Sequence, residues 1–221
     1  MLNWQQMELR VNQVKKFKNA LQIIFDKPKI HFYPGQYLDV KVGQDSRSFT
    51  ISSSPTEGFL MITTRPGISR FKKKFIKLKS NEIIQSSHPA GTFILDEKER
   101  AVFLAGGVGI TPFRSMIKYA FDKSLKAPIT LIYSKADSDF IFKDELKTWQ
   151  KFLPNLAIHW INTKKVGRLT KETLYQLTMN YEPLTIYYLA GSPAFVDDLE
   201  KILLELGIEE TNIRTDRFDG Y

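Results

Sequence analysis

A change of rhythm at the charged run Asp96-Glu97-Lys98-Glu99-Arg100 constrains this chain more than any other feature. Before the run, short apolar stretches are punctuated by turn signals. Residues 21–25 precede Asp26-Lys27-Pro28, residues 37–42 precede Gly43, residues 48–52 follow, and residues 60–64 precede Pro66-Gly67. Residues 36–42 and 59–64 alternate partially with period two and are rich in β-branched and aromatic side chains, the pattern of half-buried strands. Many short strands in fewer than 100 residues predict a barrel or a sandwich. One helix interrupts them over residues 69–78, placing Phe71, Phe75 and Leu78 on one face.

After the run, strand and helix patterns alternate. Strands are expected over 101–105, 129–133, 157–161 and 185–190, and helices over 112–121, 142–152, 170–177 and 194–206. That alternation predicts a doubly wound parallel sheet. The expected organisation is therefore an all-β domain over 1–97 followed by an α/β domain over 98–221.

The apolar strand at 101–105 runs into Gly106-Gly107-Val108-Gly109-Ile110-Thr111-Pro112. Glycines let a backbone approach a pyrophosphate closely, and a following helix N-terminus offers free N–H groups. Pro112 suits the first helical position, where its missing N–H is no loss, and the Thr111 hydroxyl can donate there. A Gly-rich strand-to-helix turn with no ligand explains the glycine spacing equally well. The turn is neither G-x-G-x-x-G nor a P-loop, which argues against ATP or GTP hydrolysis.

Composition removes other chemistries. There is no cysteine, hence no disulfide, thiolate metal site, cysteine nucleophile or cysteine-held cluster. His31, His88 and His159 lack ligand spacing, so no metal is expected. The longest apolar run, Ala101 to Ile110, is about half a membrane span. The N-terminus carries no apolar signal segment, and a cytoplasmic protein is expected. Of the net charge of +8, residues 1–97 hold +7. Such asymmetry points to an anionic partner. No aromatic-interleaved basic motif supports nucleic acid.

The segment Leu104-Ala105-Gly106-Gly107-Val108-Gly109-Ile110-Thr111-Pro112 resembles the nucleotide-binding stretch of the ferredoxin–NADP reductase family, L-A-G-G-x-G-I-T-P. Three more segments follow the family's order. Arg47-Ser48-Phe49-Thr50, downstream of Tyr33-Pro34-Gly35-Gln36-Tyr37, is similar to its flavin motif Arg-x-Tyr-Ser/Thr. Arg65-Pro66-Gly67-Ile68-Ser69 is similar to its FAD-pyrophosphate segment, and Tyr188-Leu189-Ala190-Gly191-Ser192-Pro193 to its Tyr-x-Cys-Gly-x-Pro. Phe49 departs from the usual Tyr, and Ala190 from the frequent Cys.

The resemblance implies an antiparallel β-barrel binding FAD, an α/β domain binding NADP or NAD, and hydride transfer in the cleft between them. It implies FAD contacts from Arg47, Ser48, Phe49, Thr50, Thr64, Arg65, Gly67, Ile68, Ser69 and an aromatic terminus at Tyr221. Arg47 would meet the pyrophosphate and Phe49 the flavin or ribityl. Thr50 would sit near flavin N5, and a local bulge or twist is expected because Thr50 alternates in face with Arg47 and Phe49. Nucleotide contacts would come from Gly106, Gly107, Gly109, Thr111, Pro112, Gly191, Ser192 and Pro193, with Lys164, Lys165 and Arg168 near a 2′-phosphate. Thr50, Thr111 and Tyr221 are the expected catalytic residues. The lysines 72, 73, 74, 77 and 79 suggest steering of an acidic one-electron acceptor, a ferredoxin or flavodoxin, by a monomer. A reductase of diffusible flavin and a non-catalytic electron-transfer subunit are the alternatives.

Overall fold

A computed structural model describes residues 6–178 and 184–218. Its first half is a six-stranded antiparallel sheet in the order β4-β3-β6-β1-β2-β5. The strands are β1 (Met7–Lys16), β2 (Leu21–Asp26), β3 (Tyr37–Val42), β4 (Asp45–Thr50), β5 (Phe59–Thr64) and β6 (Ile83–Ser86). An isolated bridge, Ile51↔Ile62, draws the two edge strands together and curls the sheet into a half-barrel. β1 serves two neighbours: Met7 to Arg10 pair with β6, and the stretch from Val11 onward pairs with β2. A register shift between Val11 and Gln13 lets it do both by bending the strand. The inward faces bury Leu9, Val11, Ile23, Phe25, Leu38 and Val40. The short helix α1 (Arg70–Phe75) adds Phe71 and Phe75 to this core. Ser69 caps it, its hydroxyl accepting from the Lys72 N–H at 3.3 Å.

The second half is a five-stranded parallel sheet ordered β11-β10-β7-β8-β9. Its strands are β7 (Ala101–Gly106), β8 (Ile129–Lys135), β9 (Leu156–Asn162), β10 (Ile186–Gly191) and β11 (Ile213–Arg217). The helices are α2 (Ile110–Lys123), α3 (Lys143–Phe152), α4 (Thr163–Val166), α5 (Lys171–Thr178) and α6 (Pro193–Glu205). Alternation along β7 decides which helix meets which face. Phe103 and Ala105 pack with Phe113 and Met116 of α2, while Val102 and Leu104 pack with Val196 and Leu199 of α6. The order reverses between β7 and β10, and the Gly106 and Gly191 turns lie side by side there. Crevices at such reversals are where open α/β sheets bind ligands.

The expected fold class, an antiparallel β-barrel followed by a doubly wound α/β sheet, is the one observed. Three strands escape the periodicity reading. β1 and β11 are mostly polar along their length, and β6 has only four residues. Helix α2 starts at Ile110, so Pro112 is its third residue rather than its first. Its missing N–H still falls in the first turn, where no intrahelical acceptor exists.

A buried charge cluster joins the halves. Arg114 of α2 is 3% exposed. Its guanidinium donates to Glu57 of the half-barrel, to Glu145 of α3 and to the Ser52 carbonyl at 3.1 Å. It also lies over the rings of Phe142 and Trp149, 5.5 and 5.2 Å from their centroids. Burial works against its charge, but the two carboxylates outweigh burial and raise its pKa further. Ser115 adds a 2.6 Å hydrogen bond to the Ser53 carbonyl.

Candidate functional site

Two cavities open along the junction of the halves. The larger, about 600 Å³, lies over the carboxyl ends of β7, β8 and β9 and is walled by Gly106, Gly107, Ser134, Lys135, Thr163, Arg168 and Ser192. The smaller, about 340 Å³, runs along β4 and the end of β5. Both volumes fall in the range of about 300–1,000 Å³ typical of small-molecule sites. Arg65, Gly106, Val108 and Ser192 border both, so ligands held in the two cavities would be neighbours.

Arg47, Ser48, Phe49, Thr50, Thr64, Arg65 and Ser69 all line the smaller cavity. β4 is an edge strand, so both of its faces can border a cavity running along it. Of the expected bulge or twist, the bulge is absent, for the β3–β4 register runs unbroken from Asp45 to Thr50. Phe49 borders the cavity, but its ring is committed to protein. It stacks on Phe75 at 5.2 Å and leans on Phe71 at 5.6 Å. Tyr37, paired with Thr50 across the strands, supplies an aromatic with a hydroxyl to the same cavity.

Two residues of the Arg65–Ser69 segment depart from expectation. Ile68 is 88% exposed, and neither it nor Gly67 lines a cavity. The space above Gly67 is filled by the Lys72 side chain, whose Cδ would lie 2.5 Å from an added Cβ. Lys72 itself borders the smaller cavity, and its pKa is lowered by burial and by the neighbouring positive charge of Arg65. Two cations held this close make a strong anion site.

The Gly-rich turn is built for protein contacts as much as for a ligand. Gly107 has φ +57°, where a side chain would be strained, and Arg65 Nη2 lies 2.3 Å from a Cβ placed there. The Gly107 carbonyl accepts from the buried Tyr133 hydroxyl at 2.8 Å. A Cβ on Gly109 would lie 2.0 Å from the Ala190 carbonyl oxygen, so this glycine exists to let the β7 and β10 turns touch. Gly109, Pro112, Gly191 and Pro193 line neither cavity. Thr111 spends its hydroxyl on the Val108 carbonyl at 3.1 Å and borders the smaller cavity rather than the larger. Arg168 reaches the larger cavity, while Lys164 and Lys165 do not, because the short helix α4 carries them outward. Ala190 is fully buried. Tyr221 lies outside the described residues.

The most informative residue is one that no motif pointed to. Asp216, on β11, lines the smaller cavity and accepts from the Thr50 hydroxyl at 3.4 Å. Burial raises its pKa from 3.8 to about 6, only partly offset by that hydrogen bond. Its carboxyl therefore changes protonation near neutral pH, at the wall that faces Thr50. Among the described residues no group of His, Cys, Asp and Glu could hold a metal, and no helix is long and apolar enough to cross a membrane.

The chain is similar to several known proteins. "Ferredoxin NADP+ reductase from Neisseria gonorrhoeae with bound FAD and NADP" superposes with a TM-score of 0.81 at 19% identity, covering 96% of this chain and 98% of that one. Flavohemoprotein A of Dictyostelium discoideum is 25% identical over 93% of this chain and 58% of its own length. The toluate 1,2-dioxygenase electron transfer component of Pseudomonas putida is 26% identical over 86% of this chain and 60% of its own. The chain thus spans a little over half the length of the curated relatives it matches first. The likeness to the solved ferredoxin NADP+ reductase is one of fold, an antiparallel half-barrel sheet followed by a parallel α/β sheet. Residues 103–201 match the model of the oxidoreductase NAD-binding domain family.

Proposed function

We propose that the protein is an FAD-containing NAD(P)H oxidoreductase that passes electrons on to a one-electron acceptor. The observation that carries this reading is the shared wall of Arg65, Gly106, Val108 and Ser192, which sets two ligand-sized cavities edge to edge. Residues 1–97 are taken as the FAD unit and 98–221 as the NAD(P) unit.

The donor set suits these ligands. The smaller cavity combines cations at Arg47, Arg65 and Lys72 with hydroxyls at Ser48, Thr63 and Thr64 and rings at Tyr37 and Phe218, a set matched to an aromatic ring system bearing a pyrophosphate. The larger cavity offers the Gly106-Gly107 turn at the head of α2 and Ser192 at the head of α6, two helix N-termini converging where a dinucleotide's phosphates would lie. Bound FAD would supply the two-electron to one-electron conversion. The chain's own part is to bind, orient and manage a proton. Asp216, with its pKa near 6, holds a proton within reach of the Thr50 hydroxyl, so the pair can give or take one at the cavity wall.

Lys73, Lys77 and Lys79 face solvent near α1, whereas Lys74 is paired with Asp45 at 3.1 Å. The exposed three support steering of an acidic protein acceptor such as a ferredoxin or flavodoxin. The relatives named as electron transfer components favour a second form of the reading, a reductase module serving a larger oxygenase-type complex. The test is ferricyanide reduction by purified, FAD-loaded protein with NADPH and with NADH. Turnover with at least one is expected; a protein that does not retain FAD on gel filtration and turns over neither nucleotide refutes the reading.

A further inference from the structure

The larger cavity is not built by the parallel-sheet half alone. The hairpin joining β1 to β2 reaches into it from the half-barrel, and both residues of its tip, Lys18 and Asn19, line the cavity. The hairpin is tight, closed by the Phe17 N–H donating to the Ala20 carbonyl at 2.8 Å. It is also anchored. Ala20 is 3% exposed and belongs to the hydrophobic cluster of the other half. The Asn19 side-chain amide donates to the Asp139 carboxylate, on the connection that follows β8.

We propose that Lys18 is a phosphate-binding residue of the nucleotide site, contributed by the FAD-binding half, and that the Asn19–Asp139 contact positions it. The inference rests on the reading of this cavity as a nicotinamide-nucleotide site. Charge accounting singles out Lys18. Of the cavity's other cations, Lys135 is paired with Asp137, and Arg168 lies 3.8 Å from Asp198. Arg65 lies against Gly107, where it faces both cavities. Lys18 makes no ion pair among the described residues, and the Asp139 carboxylate beside its hairpin is taken by Asn19. An ammonium held at a cavity rim without a carboxylate is matched to a phosphate, either the dinucleotide's pyrophosphate or a 2′-phosphate. Because the hairpin also belongs to the half-barrel, a nucleotide gripped this way ties the two halves together.

The test uses the full FAD-loaded chain, with 2′-phospho-AMP and ADP as calorimetric probes and NADPH and NADH as substrates. Lys18→Met should weaken binding about ten- to hundredfold, the loss of one charge-assisted hydrogen bond. It should raise nucleotide KM far more than it lowers kcat, the signature of lost uniform binding. Lys18→Arg should restore most of the affinity. Loss confined to 2′-phospho-AMP would assign Lys18 to the 2′-phosphate, and equal loss for ADP to the pyrophosphate. Asn19→Ala should give part of the same loss, and none further in the Lys18→Met background. Wild-type affinity within twofold in Lys18→Met overturns the proposal, and full additivity of the two substitutions overturns the positioning role. A wild-type chain that binds neither probe and oxidises neither nucleotide would instead refute the underlying site assignment.

Discussion

Replacing Arg114 by Met would test whether the halves are held together by a buried charge cluster. The Arg114 side chain is 4% exposed, and the Glu57 side chain it pairs with is 10% exposed. Removing the cation leaves Glu57 with the Ser54 N–H, at 2.7 Å, as its remaining donor. Glu145, 43% exposed, can turn to water and contributes little to the loss. Breaking a buried pair by deleting one partner costs about 3–5 kcal/mol. Two ring contacts worth about 0.5–1 kcal/mol each are also lost, although a Met sulfur recovers part of that. A net loss of about 3–6 kcal/mol follows, which at about 2–4 °C per kcal/mol lowers Tm by roughly 6–24 °C. Urea unfolding followed by tryptophan fluorescence reads it, since Trp149 lies against Arg114. Adding Glu57→Gln should recover at least half of the loss. A single-variant loss below about 1 kcal/mol, or a double variant no more stable than the single, would refute the unpaired carboxylate as its origin.

Two further outcomes follow from single residues. Gly109→Ala should destabilise by about 3 kcal/mol or more and abolish nucleotide binding, because its Cβ would meet backbone that cannot move aside. Gly58→Ala, with nothing within 4 Å, should be neutral in the same melt, and equal melting of the two variants would remove the packing argument. Asp216 binds its proton more tightly folded, at a pKa of about 6, than unfolded, at 3.8. Its contribution to stability is thus full below about pH 4 and is lost as pH rises through 6. Asp216→Asn should gain roughly 1–3 kcal/mol over the parent at pH 8, nothing at pH 4, and lose any inflection of turnover near pH 6. An unchanged difference across that range would show that the carboxyl is not buried as a charge.

By itself the sequence determined what depends on local pattern. Period-two runs before residue 96 and strand–helix alternation after it yield two sheets of different kind, because periodicity dictates which face of each element can be buried. The turn residues Gly106, Gly107 and Ser192 were singled out from local pattern too, and all three line the larger cavity. Tertiary docking decided the rest. Asp216 meets Thr50 across 166 positions, and Asn19 meets Asp139 across 120, contacts that no local period encodes. Gly109 reads as a ligand glycine in sequence, yet the Ala190 carbonyl occupies the space beside it. Phe49 lies in a flavin-like motif, yet its ring joins Phe71 and Phe75, and Tyr37 from the next strand faces the cavity. Motif reading singled out residues by local pattern, and Arg47, Arg65, Gly106 and Ser192 among them border the cavities. Those that depend on two halves meeting, Asp216 and Lys18, became visible only once both sheets were in place, because burial and charge neutralisation belong to the assembled fold.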